Sequence, residues 1–275
     1  MLSYQHGYHA GNFADVIKHF TLTRVLSYLS SKDKPLLYLE THSGRGMYDF
    51  KDGQALKTKE FQDGVSLLWE QRQNLPATFA SYLAVLKKFN PTDNLRYYPG
   101  SPAIAIEMLR EQDRLICCEL HPTEFHHLSS LPMRGKKVHY AEADGVQQML
   151  ALLPPFEKRG LIFIDPTFEV KSEYKELPKM ISKAYKRFAT GTFCLWYPIV
   201  DRRMHEQLTR GLQAIGAEKT VQLDFYLSRT PMPGMYGCGL WLCNPPYTLT
   251  EELKTGMDTL RTLFNPGQSY YTIQS

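Results

Sequence analysis

The sequence has no Cys-x-x-Cys pair, no Gly-Lys-Ser/Thr and no third glycine at dinucleotide spacing behind its one Gly-x-Gly turn, Gly44-Arg45-Gly46. These absences argue against a zinc module, a P-loop nucleotidase and a dinucleotide-dependent dehydrogenase. Five cysteines, at 117, 118, 194, 238 and 243, lack the spacing of a disulfide framework, and four fall in strand-like runs, so they read as buried, reduced thiols. His6, His9 and His19 straddle a turn without a zinc pattern, and no metal is expected. The longest uncharged stretch, Thr230 to Thr250, contains Pro231, Pro233, Pro245 and Pro246, which no membrane-spanning helix would carry. The first residues show no basic segment leading into an apolar run, so no secretory signal and a cytoplasmic location are expected.

Present instead is an ordinary globular composition, 43% hydrophobic and 22% charged over 275 residues, enough for one large domain or a domain with an insertion. Lys and Arg exceed Asp and Glu by 32 to 28, a mild excess that permits a nucleic-acid partner without requiring one.

Periodicity organises the chain. Asn12 caps a helix whose apolar positions run from Phe13 through Phe20 to Leu29, with Asp15 at the capping-box position. On it Asp15 and His19 share a face with Lys18 alongside. Leu36 to Leu39 reads as a doubly buried strand ending at Glu40. Two helical patterns, Phe61 to Trp69 and Phe79 to Phe89, mark residues 51–96 as an insertion within a domain of residues 1–50 and 97–275. Ser101 then caps a helix with Pro102 in its first turn. Strand-like runs follow at Leu115–Glu119, Val138–Ala141, Leu161–Asp165 and Phe193–Tyr197, alternating with helices, and a pair at Thr220–Leu227 and Leu240–Cys243 is joined too tightly for a crossover. Alternation of this kind means βαβ units and a mostly parallel sheet. Five parallel strands with a terminal antiparallel hairpin are the layout of the α/β, Rossmann-like Class I S-adenosylmethionine (SAM) methyltransferase fold, a seven-stranded sheet here carrying a small helical insertion, although other doubly wound folds share the pattern.

Open α/β sheets bind ligands at the carboxyl ends of their strands. The turn at Gly44 and Gly46 lets backbone approach a ligand there, although an ordinary turn has the same look. Glu119, at the end of the next strand, suits a pair of ribose hydroxyls; its 73 positions from Gly46 fall to 27, near the usual interval of about 20, only when the insertion is set aside. Asp144 is placed for an adenine amino group and equally for capping the helix behind it. Asp165-Pro166-Thr167-Phe168 resembles the Asp-Pro-Pro-Tyr/Phe tetrad of amino-methyltransferases, with Thr167 standing where the tetrad has its second proline. An exocyclic adenine N6 is a weak nucleophile because its lone pair is delocalised into the ring. The Asp165 carboxylate and the Pro166 carbonyl would each accept one of its hydrogens and aim it, while Phe168 stacks on a base withdrawn from its helix or loop. A literal tetrad, Asn244-Pro245-Pro246-Tyr247, follows the last antiparallel strand and should face the other way.

Start to end, the chain resembles the bacterial 23S ribosomal RNA adenine-N6 methyltransferases of the J type, a family also linked to external-DNA utilisation. The likeness lies in His9-Ala10-Gly11-Asn12, Thr41-His42, Tyr97-Tyr98-Pro99-Gly100-Ser101-Pro102, Glu119-Leu120-His121-Pro122, Ala143-Asp144-Gly145 and Leu195-Trp196-Tyr197-Pro198, with the opening Met1-Leu2-Ser3-Tyr4. It implies SAM as cofactor and a structured segment of 23S ribosomal RNA with an extruded adenine as partner. It further implies that His19, His42, Ser101, Glu119, Asp144 and Gly145 contact the cofactor, with Lys18 a further pocket contact, that Asp165 is the catalytic carboxylate, and that Tyr4 meets the target nucleotide. For the RNA, Lys183, Lys186, Arg187, Arg202 and Arg203, with Arg134, Lys136 and Lys137, are candidate phosphate contacts. The alternatives are a catalytically silent nucleic-acid-binding protein that retains the SAM pocket, and a role in external-DNA utilisation.

Overall fold

The computed structural model describes residues 5–133 and 135–275, so Tyr4 and Arg134 lie outside the described residues. Helix α1 (Phe13–Ser30) leads into β1 (Leu37–Glu40). Strands β2 (Met47–Asp49) and β3 (Tyr97–Pro99) pair antiparallel, and between them run α2 (Gly53–Thr58), α3 (Val65–Glu70) and α4 (Ala80–Phe89). Next come α5 (Ser101–Met108), β4 (Arg114–Glu119), α6 (Pro122–Ser129), β5 (Lys137–Glu142), α7 (Gly145–Leu152) and β6 (Gly160–Ile164). The chain continues through α8 (Glu173–Arg187), β7 (Thr192–Ile199), α9 (Arg202–Gln213), β8 (Thr220–Tyr226), β9 (Gly237–Cys243), α10 (Leu249–Leu263) and β10 (Tyr270–Gln274).

The main sheet runs β10-β8-β9-β7-β6-β1-β4-β5. Strands β5, β4, β1, β6 and β7 are mutually parallel, and β9 lies antiparallel between β7 and β8. This is the doubly wound, mostly parallel arrangement of a Class I methyltransferase. The expected seven strands are eight: β10 adds itself antiparallel to the free edge of β8, Tyr270 opposite Tyr226 and Gln274 opposite Gln222.

Alternation along β1 shows why its run is apolar throughout. Leu36 and Tyr38 enter the core shared with α1, α5 and α10, whereas Leu37 and Leu39 enter the core shared with α7, α8 and α9. Trp69, Phe79, Tyr82 and Leu86, from the helices between β2 and β3, join the first of these cores. Helix α1 is therefore covered all round: every residue from Phe13 to Thr23 is buried, including Asp15, Lys18 and His19. The polar face anticipated on this helix looks into protein and a cleft. No described helix is long and apolar enough to cross a membrane.

Candidate active site

The carboxyl ends of β1, β4, β5, β6 and β7 surround a cleft of about 1170 Å³. Lys18, His19, His42, Ser101, Glu119, Asp144, Gly145, Asp165, Pro166 and Phe168 all line it. The crossing of a doubly wound sheet thus brings together residues separated by up to 150 positions in sequence.

Asp165 emerges directly after β6. Its Oδ2 accepts from Lys18 Nζ at 2.6 Å, and among the described residues Oδ1 accepts no hydrogen bond. Lys18 Nζ also lies 2.7 Å from Asp15 Oδ1 and 5.4 Å from the centroid of the Trp196 ring. Asp15 Oδ2 in turn meets His6 Nε2 at 2.8 Å and the Gly11 N–H at 2.9 Å. Burial alone would push the Asp15 carboxyl up and the Lys18 ammonium down. His6 and Lys18 outweigh it for Asp15, which titrates well below the usual range, and the two aspartates outweigh it for Lys18, which is raised. Lys18 therefore stays charged between two carboxylates.

Glu119 is clamped rather than free: its Oε2 accepts from Gly44 N–H at 2.7 Å and its Oε1 from His121 N–H at 2.8 Å. The glycine turn and the acid at the end of β4 thus hold each other in place. Burial raises the Glu119 carboxyl, against those two backbone donors. The same turn is anchored from outside by Arg45, whose guanidinium forks onto Glu124 at 2.9 and 2.7 Å.

Of the two roles read for Asp144, the cap is observed. Its Oδ1 caps α7, accepting from Val146 N–H at 2.9 Å and Gln147 N–H at 3.1 Å, while the residue lines the cleft. Gly145 beside it admits no side chain, because a Cβ there would lie 2.0 Å from the Thr41 carbonyl oxygen. Backbone therefore closes on backbone between β1 and β5. His42 is held by Thr41, Oγ1 to Nδ1 at 2.8 Å, and burial pulls its imidazole down to about 4, so it is neutral.

Two local expectations are corrected. Ser101 opens α5, but Gly100 occupies the N-cap and no side chain caps the helix; the Ser101 hydroxyl donates to Glu40 instead. The basic runs do not act together. Lys183, Lys186 and Arg187 end α8 at the amino edge of β7, opposite the cleft, and Arg187 donates to the Leu150 carbonyl. Lys136 donates to the Ile106 and Leu109 carbonyls. Arg202 and Arg203 stand at the carboxyl end of β7, beside cleft-lining Val200, and are exposed.

Phe168 adopts φ +53°, uncommon for an aromatic residue, and is 8% exposed, its ring 4.5 Å from that of Tyr174. Asn244-Pro245-Pro246-Tyr247 follows β9, whose last residue Cys243 pairs with Phe193 near the start of β7, so this tetrad lies at the sheet edge away from the cleft. Asn244 is occupied there, donating to the Ala189 and Gly191 carbonyls.

Sequence reasoning passed over Glu40, the last residue of β1. It is fully buried, accepting from Ser101 and from Tyr38 at 3.0 Å, and burial raises its carboxyl to about 8. Its only sequence signal was an acid closing an apolar strand. Trp196, Tyr98 and His6 also went unassigned, since their contacts span the fold.

A nucleoside cofactor with an amino-acid tail fits this cleft. His19 Nε2 and Ser43 Oγ on its wall are buried polar atoms without hydrogen-bond partners among the described residues, and Glu119 is pre-oriented. No group of three His, Cys, Asp or Glu side chains arranged to hold a metal occurs among the described residues.

Residues 33–274 match the family model described as "Ribosomal RNA large subunit methyltransferase D, RlmJ". The chain is 41% identical over 275 residues to ribosomal RNA large subunit methyltransferase J of Escherichia coli K12, covering 99% of this chain and 98% of that protein. It is likewise 41% identical over 277 residues to the protein of the same name from Haemophilus influenzae, covering 100% of this chain and 98% of the relative. The crystal structure of protein LPL1258 from Legionella pneumophila superposes with a TM-score of 0.94 at 55% identity, covering 97% of this chain and 98% of that one. A cleft of this build on this fold, matched along its full length, makes the chain a member of the ribosomal RNA large subunit methyltransferase J family, whose cofactor is SAM.

Proposed function

We propose that the protein methylates N6 of an adenine in 23S ribosomal RNA, with Asp165 and Pro166 orienting the amino group. The observation that carries the reading is the state of Asp165 on the cleft wall: one carboxylate oxygen is held by Lys18 at 2.6 Å and the other accepts no hydrogen bond among the described residues. A carboxylate held at a strand tip by a buried cation is rigid and directional.

SAM supplies an electrophilic methyl group when bound. Asp165 Oδ1 accepts one N6 hydrogen and the Pro166 carbonyl the other, which turns the nitrogen lone pair toward that methyl. Asp165 and Pro166 would thus hold N6 for in-line displacement at the methyl group that bound SAM would supply, and Asp165 would then receive the surplus N6 proton. Lys18 holds the Asp165 carboxylate throughout, so no strong base is needed at the start. Phe168 supplies the stacking face; Tyr174 behind it fixes the ring. Glu119 receives the ribose hydroxyls, Asp144 the adenine amino group of the cofactor, and His19, His42, Ser101 and Gly145 complete the cofactor wall. The rest of the RNA is held through phosphates by Arg202 and Arg203 at the cleft rim. Residues 51–96 are read as a helical subdomain inserted into the methyltransferase domain of residues 1–50 and 97–275.

Asp165→Ala tests the assignment. Titration calorimetry should show SAM binding within a few-fold of wild type, while methyl transfer to a 23S transcript, read as N6-methyladenosine by mass spectrometry, falls by at least about 100-fold. Turnover near the wild-type rate would refute the role. Wild-type protein that binds SAM and methylates no ribosomal RNA would favour the silent nucleic-acid-binding alternative.

A further inference from the structure

His19 is 1% exposed and lines the cleft, and its Nε2 has no hydrogen-bond partner among the described residues. The other ring nitrogen, Nδ1, lies 2.8 Å from the Tyr98 hydroxyl, which lies 3.0 Å from the Tyr82 hydroxyl. Both tyrosines are fully buried, and the Tyr98 ring stacks on the imidazole at 5.4 Å. Among the described residues the Tyr82 hydroxyl has no second partner. The three groups form a chain closed at Tyr82 and open at His19.

Hydrogens can run along this chain in two directions. Pointing toward the histidine, Tyr82 donates to Tyr98, Tyr98 donates to Nδ1, and the neutral ring carries its hydrogen on Nε2. Pointing away, Nδ1–H donates to Tyr98, Tyr98 donates to Tyr82, and the Tyr82 hydrogen is stranded among apolar side chains. Either direction leaves one buried hydrogen without an acceptor among the described residues, on Nε2 in the first and on Tyr82 in the second; an acceptor bound in the cleft can meet only Nε2–H, so its binding selects the first direction. Burial, with Lys18 adding to it against Asp15, pulls the imidazole down to about 3, which keeps the ring neutral and the two directions exclusive.

In the first direction an N–H donor faces the cleft and requires an acceptor there. The first turn of α5, entered through Gly100 and Ser101, borders the same cleft, and α1 packs on α5. Backbone N–H groups at a helix start favour an anion. With Glu119 and Asp144 taking the nucleoside, the remaining acidic end of the cofactor is its amino-acid carboxylate.

We propose that Tyr82 and Tyr98 are positioning residues that hold His19 as the Nε2–H tautomer, so that it donates to the carboxylate of the cofactor's amino-acid end. The proposal rests on SAM occupying this cleft. It makes α4, far from the reacting atoms, part of the cofactor's recognition through two hydroxyls.

The test combines histidine nitrogen NMR with calorimetry on the intact protein. In wild type with S-adenosylhomocysteine bound, His19 should show a protonated Nε2 and an unprotonated Nδ1. Tyr82→Phe removes the terminal donor without touching His19 and frees the Tyr98 hydroxyl to point either way. It should give a mixture of tautomers and weaken S-adenosylhomocysteine binding about two- to fivefold. Tyr98→Phe should weaken it about tenfold, with kcat at saturating SAM unchanged. Affinity for 5′-methylthioadenosine, which lacks the amino and carboxylate groups, should be the same in all three proteins. An Nδ1–H tautomer in wild type with S-adenosylhomocysteine bound, or equal losses for both ligands, would overturn the proposal while leaving the cofactor reading intact. Failure of wild-type protein to bind either ligand would overturn that reading, and the carboxylate assignment with it.

Discussion

Two buried aspartates, Asp15 and Asp224, are surrounded alike and used differently. Asp224 on β8 accepts from Tyr197 at 2.7 Å, Gln222 at 2.9 Å and His205 at 3.2 Å, and this knot closes on itself away from the cleft. Asp15 accepts from His6, Gly11 and Lys18, but its network continues through Lys18 to Asp165 on the cleft wall, where one oxygen accepts no hydrogen bond among the described residues. Nearby, His19 Nε2 and Ser43 Oγ are also unmet. A satisfied polar knot contributes rigidity; an unsatisfied one retains binding capacity. The difference separates structural from ligand-directed polarity more cleanly than burial, which is nearly equal for the two acids at 2% and 3% exposure.

The sharpest way to break the comparison is to remove the centre of each knot. Lys18→Met leaves two carboxylates without their cation and should lower stability by about 3–5 kcal/mol in urea, with loss of transfer. Asp224→Ala leaves Tyr197 and Gln222 without their acceptor and should cost about 2–3 kcal/mol, with kcat and KM of the folded fraction unchanged. Equal kinetic damage from both would erase the distinction.

A smaller effect should appear in pH dependence. Burial holds Glu40 protonated up to about 8, whereas in the unfolded chain it ionises near 4.5. Between those values the folded chain binds the extra proton, so stability falls as pH rises, by at most about 1.4 kcal/mol per pH unit. Glu40→Gln should remove this slope from urea midpoints measured between pH 5 and 8, leaving a flatter profile; an unchanged profile would place the Glu40 titration elsewhere. The smallest effect is expected at the rim. Arg203 is exposed and has no ion-pair partner among the described residues. Arg203→Ala should leave the urea midpoint unmoved and reduce the salt slope of RNA binding by about one.

How much of this could be read beforehand depended on distance along the chain. Leu36 to Glu40 and Leu161 to Asp165 announced themselves because doubly covered parallel strands must be apolar on both faces. The carboxyl ends of Leu161 to Asp165 and of Leu115 to Glu119 then placed Asp165 and Glu119 on one rim. Strand β10 was missed because Tyr270 to Gln274 is half-exposed and follows a turn, although its aromatic and β-branched content was a usable signal. The ribbon of β2 and β3 has three residues a side and no periodicity to detect. Lys18 and Asp165 stand 147 positions apart. No local pattern encodes such a pair, nor the Tyr82 hydroxyl behind Tyr98. Ser101 was misjudged as a cap because a serine before a proline has the capping signature; Glu40 in the core competed for its hydroxyl.

The eighth strand has a consequence for how copies of the molecule meet. Without β10, the outermost strand would be β8, and the backbone groups of Gln222 to Tyr226 that now pair with β10 would be left unpaired along that edge. Such a rim invites a neighbour to add its own strand and begin aggregation. With β10 in place the outward edge is five residues long and partly polar, and the sheet presents strangers with a poor template.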